Sequence, residues 1–150
     1  KARLEEHIGI PNDLSLRPIK DAKVTVAWLN ADEVRRHYND WDFSREGRIR
    51  QSLRMRDLAD EANTDFCIVD FVAPLIEMRN NFKADWTIWI DTIDQGRFED
   101  TNKLWERPTN YDYRWMSFNS EEQVNAIIRG SNLHDWKVVT TVNKSTNVNL

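Results

Sequence analysis

Three short apolar runs constrain this chain more than any other feature: Val24–Leu29 (VTVAWL), Phe66–Phe71 (FCIVDF) and Trp86–Ile90 (WTIWI). Each is rich in β-branched and aromatic residues and is apolar on both sides, as a strand buried on two faces must be. Polar stretches with helical spacing separate them. Strands alternating with helices in this way give an α/β fold, a parallel sheet flanked by helices in three layers. Ligands in such sheets bind at the carboxyl ends of the strands. Asn30–Arg35, Asp70–Pro74 and Asp91 fall at those ends, so residues far apart in sequence are expected to meet there.

The intervening helices are legible from their caps. Asn30 or Asp32 can cap a helix through His37, and Ser44 can cap a second. In the second, Ile49, Leu53, Leu58 or Ala59, and Ala62 form one inward stripe, with Arg48 and Gln51 together on another, exposed face. A short helix follows Pro74 and runs through Phe82. The stretch GRFEDTNKLWERP reads as a helix or a mobile cover. Ser120 with Gln123 forms a capping box for a helix that Gly130 closes. Lys137–Val142 is a last strand, followed by an Asn/Thr/Ser tail over 143–150 that should fray. Trp28, Trp86 and Trp89, inside strands, are expected in the core. Trp41, Trp105, Trp115 and Trp136 have polar neighbours, and Trp105 is the best placed to cover a bound base.

With 150 residues, 40% hydrophobic and 31% charged, one domain over 1–150 can bury a core without disulfides. The lone Cys67 lies in an apolar run and reads as a buried, inert thiol, which favours a reducing, cytoplasmic setting. No run reaches the roughly 20 apolar residues of a membrane span. A net charge of −4 speaks against nucleic acid as partner. The exception is local: between Ser44 and Asp57 stand five arginines (Arg45, Arg48, Arg50, Arg54, Arg56) against Glu46 and Asp57. That helix suits a small anionic ligand, or else is a solvated face. His7, His37 and His134 have no partner at metal-ligand spacing, so no metal site is expected among the chain's own histidines.

Four blocks carry chemistry: WLNADEVR (Trp28–Arg35), WDFSREGRIRQ (Trp41–Gln51), DFVAP (Asp70–Pro74) and IDTIDQGRFEDTN (90–102). In order and spacing they resemble the adenylylsulfate kinase family, a branch of the P-loop kinases. The likeness covers roughly Val24 to Pro108. The first block resembles the family's strand with a D-x-x-R turn, the second its F-S-x-x-x-R-x-x-N segment, the third its F-[IV]-[SA]-P turn, the fourth its later strand and cover.

The resemblance implies a P-loop nucleoside triphosphate hydrolase-like sheet. It also implies an enzyme that moves the γ-phosphate of ATP, with Mg2+, to the 3′-hydroxyl of adenylyl sulfate. Asp32 would then stand near the metal and the accepting hydroxyl. Arg35 and Arg48 would bind the phosphosulfate, Phe43 would stack on the adenine, and Phe71, Val72 and Pro74 would line the substrate pocket. Gln51 occupies the place of the family's Asn. The ligand would be an adenine nucleotide, and the protein could form a homodimer. Plainer readings stand beside these: Asp32 as an N-cap only, Arg35 and Arg48 as surface ion pairs, Phe43 and Phe71 as core.

One departure is large. The family's G-x-x-x-x-G-K-[ST] loop cradles ATP phosphates on backbone amides and a lysine. Here Gly9-Ile10-Pro11-Asn12 resembles its start, but Asp13-Leu14-Ser15-Leu16 follows, and no Gly-Lys pair exists in the chain. Residues 1–20 therefore read as a degraded or incomplete phosphate-loop region, which leaves a catalytically inactive nucleotide-binding descendant, or a kinase of another small hydroxylated acceptor, as alternatives.

Overall fold

The computed structural model describes residues 25–130 and 138–143. In chain order these form β1 (Val26–Asn30), α1 (Ala31–Tyr38), α2 (Arg45–Glu61), β2 (Phe66–Phe71) and α3 (Ile76–Phe82). Then come β3 (Trp86–Ile90), α4 (Glu99–Leu104), β4 (Tyr113–Trp115), α5 (Ser120–Gly130) and β5 (Val138–Asn143). The five strands pair in parallel in the order β1-β2-β5-β3-β4. The expected α/β class with a parallel sheet is what the chain forms. Its last strand lies in the middle, between β2 and β3. The expected phosphate-loop region, His7, His134, Trp136 and the 144–150 part of the tail lie outside the described residues.

Register assigns the two faces. Leu29 pairs with Val69, and Val69 with Thr140, which pairs with Thr87. The alternate residues of β3, including Ile88, point to the opposite face. On the first face Ala27, Leu29, Cys67, Val69 and Phe71 pack against Val34 of α1, Met55, Leu58 and Ala59 of α2, and Met78 and Phe82 of α3. Each such Leu, Met or Phe contributes about 1.5–3 kcal/mol on burial. On the second face Ile127 of α5 packs on Ile88, with Trp86, Ile90, Tyr113 and Trp115 around it. The Cys67 thiol is buried, and desolvation pushes its pKa up to about 12, so it stays protonated and inert at neutral pH.

Three expectations need correction. Trp28 is not core: it and its register partner Ile68 are 41% and 38% exposed, because α5 packs over β3 and β4 rather than over this half of the second face. The inward stripe of α2 is Gly47, Arg48, Gln51, Ser52, Met55, Leu58 and Ala59. Leu53 points outward: in the first half of the helix the stripe runs one residue earlier than expected, while Leu58 and Ala59 are buried as expected. Its polar members are buried because backbone carbonyls satisfy them, a partner set no apolar periodicity reports. Finally, Asn119 caps α5 through its Oδ1, which accepts from Glu122 N (3.3 Å), while the Gln123 side chain accepts from the Tyr113 hydroxyl (3.0 Å). The cap is thus Asn119, one residue before the expected Ser120, and the expected Ser120–Gln123 box does not form. No helix among the described residues is long and apolar enough to cross a membrane.

Candidate functional site

Asn30 ends β1 and caps α1: its Oδ1 accepts from the backbone N–H groups of Asp32 (3.0 Å) and Glu33 (3.2 Å). Its Nδ2 donates to Asp70 Oδ2 (3.2 Å), tying the carboxyl ends of β1 and β2 together. The cap is therefore Asn30, not Asp32. The Asp32 carboxylate stands exposed in the first turn of α1, where the helix dipole favours a negative group.

Asn39, in left-handed backbone conformation, stops α1. The loop that follows is folded by its own acids. Asp40 accepts from Arg50 (2.9 Å) and Arg54 (2.8 Å), and Asp42 Oδ1 accepts from Ser44 N (2.9 Å). Hydrogen bonds from Arg50 and Arg54 hold the Asp40 carboxyl far below the usual carboxylate range. Ser44 then caps α2 through Gly47 N (3.1 Å), as the sequence indicated. The arginine cluster is mostly spent in this way. Arg45 pairs with Glu77, Arg50 and Arg54 with Asp40, and Arg56 with Asp57. Neither the wholly ligand-facing helix nor the wholly solvated one is what forms.

Arg48 differs from its neighbours, and it meets Arg35 at one ring. Both are buried, each 5% exposed, whereas Phe43 is 47% exposed. The guanidinium carbon of Arg35 lies 4.7 Å from the Phe43 ring centroid, and that of Arg48 lies 5.5 Å away. Sequence reasoning had Arg48 exposed and allowed Phe43 as core; the burial is the reverse. Arg35 Nη1 donates to the carbonyls of Asp40 (2.9 Å) and Asp42 (3.2 Å). Arg48 Nε donates to Phe43 O (2.9 Å), and its Nη2 to Asp100 Oδ2 (2.9 Å) and Thr101 Oγ1 (3.1 Å) of α4. A guanidinium has five N–H donors. Among the described residues Nε and Nη2 of Arg35 and Nη1 of Arg48 thus have no hydrogen-bond partner. Arg35 has no carboxylate in salt-bridge range among the described residues. Burial lowers its pKa from the ordinary arginine value, against the attraction of Asp40.

Gln51 is fully buried. Its Nε2 donates to Ala31 O (3.1 Å), which ties α2 to the start of α1, and its Oε1 accepts from Arg54 (2.8 Å) of the same helix. Phe71 and Pro74 are buried in the sheet core, Phe71 stacking on Phe82 at 5.4 Å, and Val72 is half-buried. They reach the arginine pair only through the α4 segment, where Glu106 N donates to Pro74 O (2.8 Å) while Asp100 and Thr101 hold Arg48. The GRFEDTNKLWERP stretch is therefore a docked cover. Trp105 packs over Arg79 rather than standing open, its ring centroid 5.9 Å from that guanidinium.

Residues given no role in the sequence complete the picture: Asp100 and Thr101 fix Arg48, and Asp40 fixes the loop. Asp91, expected at the carboxyl end of β3, accepts there from Arg114 Nε (2.8 Å). The buried Trp89 ring has Arg114 and Arg107 guanidinium groups at 4.6 and 5.2 Å. No local signal marks these pairings, because each joins elements set by the fold.

What this arrangement offers is a half-exposed aromatic face backed by two buried cations. Such a surface suits a flat ring carrying an anionic group. For a triphosphate the donors are wrong. Gly47 lies inside α2 and the Gly96 N–H donates a hydrogen bond to Asn102 Oδ1 (2.8 Å), so among the described residues no glycine-rich cradle forms. No three of the described His, Cys, Asp and Glu residues converge as metal ligands. The described residues alone supply no magnesium-ATP site. No family model matches this chain, nor does any curated protein or solved structure.

Proposed function

We propose that the Phe43, Arg35 and Arg48 cluster binds an anionic adenine nucleotide, in an adenylylsulfate-kinase-like phosphotransferase with a P-loop-type three-layer fold. The single observation that carries the reading is the buried Arg35, which has no carboxylate in salt-bridge contact among the described residues, beside a half-exposed Phe43 ring. A guanidinium without an anionic partner in a desolvated position is stabilised when an oxyanion arrives. The four ordered sequence blocks supply the substrate class: adenylyl sulfate, an adenine joined to a phosphosulfate. Phe43 would hold the base, the free Nε and Nη2 of Arg35 and Nη1 of Arg48 the anion, and the exposed Asp32 would stand near the acceptor hydroxyl. Transfer of the ATP γ-phosphate to that 3′-hydroxyl, with Mg2+, is the activity the reading implies.

A second reading has its own observation. None of the four glycines, Gly9, Gly47, Gly96 or Gly130, precedes a lysine, so the sequence lacks the lysine-bearing phosphate loop. A non-catalytic protein that keeps the nucleotide site would bind adenylyl sulfate and ignore ATP. Measuring 3′-phosphorylated product from adenylyl sulfate and magnesium-ATP separates the two. Turnover that disappears in Asp32→Asn supports the kinase. Binding of adenylyl sulfate with no turnover supports the descendant, and binding of neither nucleotide removes both.

A further inference from the structure

Away from the Phe43 cluster, a cavity of about 380 Å3 opens between α3, the start of β3 and the approach to β4. Its walls carry Arg79, Asn80 and Lys83 from α3 and its C-cap, Thr87 of β3, and Thr109 and Asn110 before β4, with Phe71 on the apolar side. None of Arg35, Phe43 or Arg48 lines it. That volume is within the range of small-ligand pockets and far above the space of one water.

The lining is one-sided in charge: two cations and no carboxylate. The Arg79 guanidinium is half-buried and committed to the carbonyls of Ala73 (2.6 Å) and Glu106 (2.7 Å), so it contributes field rather than free donors. Lys83 is exposed and has no ion-pair partner among the described residues. The same holds for hydrogen bonds of the Asn80, Thr87, Thr109 and Asn110 side chains. Two acids border the cavity and are engaged by the backbone of its own wall: Asp112 Oδ2 accepts from Thr87 N (2.7 Å), and Glu106 Oε2 accepts from Ile76 N (2.5 Å). An ammonium, two amides and two hydroxyls with no side-chain hydrogen-bond or ion-pair partner among the described residues are therefore gathered around one cavity. Lys83 also sits at φ 55°, a left-handed position where a lysine has no conformational advantage over asparagine or glycine.

We infer that this cavity is a second ligand site, and that it takes a small tetrahedral oxyanion, sulfate or phosphate, either free or as a monoester. Lys83 supplies the charge, the Asn80 and Asn110 amides and the Thr87 and Thr109 hydroxyls supply directed donors. Phe71, Ile76 and Ala84 give an organic substituent an apolar surface. The inference is independent of the nucleotide reading, since the two sites share no ligand-facing cation.

The test is an amide-resolved NMR titration of the full chain with inorganic sulfate, inorganic phosphate and ribose 5-phosphate, each to roughly 20 mM, well above a millimolar Kd. Saturating shifts at Asn80, Lys83, Thr109 and Asn110 are expected. Saturation by the free ions assigns a bare oxyanion, and saturation by ribose 5-phosphate alone assigns a monoester. Lys83→Asn, which keeps a residue tolerant of the left-handed backbone, should weaken binding about tenfold, the effect of losing one charged hydrogen bond. Thr109→Val, on an exposed loop, gives a second reading should Lys83→Asn fail to fold, with a smaller, roughly threefold, loss. Phe43→Ala should leave these shifts unchanged. Absence of saturation with all three probes, or shifts confined to Phe43 and its neighbours, would overturn the site. So would unaltered affinity in a folded Lys83→Asn or Thr109→Val protein.

Discussion

Arg48→Ala should lower stability by about 3 kcal/mol and also weaken nucleotide binding by about 1.5–3 kcal/mol. The stability effect follows from burial. Truncation strands the Phe43 carbonyl and the Thr101 hydroxyl, both now satisfied by one guanidinium, and empties the volume the side chain fills. The Asp100 ion pair adds little, because that carboxylate is 63% exposed and water replaces the arginine there. Because Arg48 joins α2 to α4, the variant should also loosen the cover. Hydrogen exchange should quicken in α4 (Glu99–Leu104) before it quickens in β2. Urea denaturation together with ligand calorimetry measures both effects. An unchanged urea midpoint would mean that the α2–α4 bridge does not hold the cover.

Gly47→Ala should destabilise the protein by about 1–3 kcal/mol, although alanine is the better helix former by about 1 kcal/mol. A Cβ at this position would lie 2.3 Å from the Asp42 carbonyl oxygen and 2.4 Å from Asp42 Cγ. The first is backbone, so the loop itself must move. That loop holds Phe43, and its Asp42 carbonyl accepts from Arg35. Displacing it removes the ring from its two guanidinium groups, so nucleotide affinity should fall alongside stability. A Gly47→Ala protein as stable as the parent, with parental affinity, would show that the loop is not packed against α2 as described.

How much of this was legible before the coordinates depends on where each group's partner lies. β2 and β3 were read to the residue, because FCIVDF and WTIWI are uninterrupted β-forming runs with polar ends. Ser44 was legible as a cap because a cap acts within one turn. The α2 stripe was misread because Arg48 and Gln51 count as surface residues in any hydropathy pattern, yet they are buried against carbonyls of Phe43 and Ala31. β4, three residues of Tyr-Arg-Trp, is too short to show a period and was missed. Trp28 was misplaced because its pattern states that it is apolar but not whether its face of the sheet is covered. At the site, the meeting of Arg35, Phe43 and Arg48 was suggested only by the order of the blocks. The commitments of Arg50 and Arg54 to Asp40 depend on the way the loop folds back, and no sequence spacing encodes that.

The central claim is that Phe43 with Arg35 and Arg48 recognises a nucleotide through its base and its anion. Competitive calorimetry of adenylyl sulfate against adenosine monophosphate, on the parent and on Phe43→Ala, tests it most directly. The half-exposed ring contributes only about 1 kcal/mol of cation–π energy to the fold, so Phe43→Ala should remain folded. Adenylyl sulfate should bind the parent about tenfold more tightly than adenosine monophosphate, as expected if one further charged hydrogen bond reads the sulfate. In the folded Phe43→Ala protein both ligands should lose about 1–3 kcal/mol, the scale of a lost aromatic stack. Equal affinity for the two nucleotides, or parental binding by Phe43→Ala, would contradict the account.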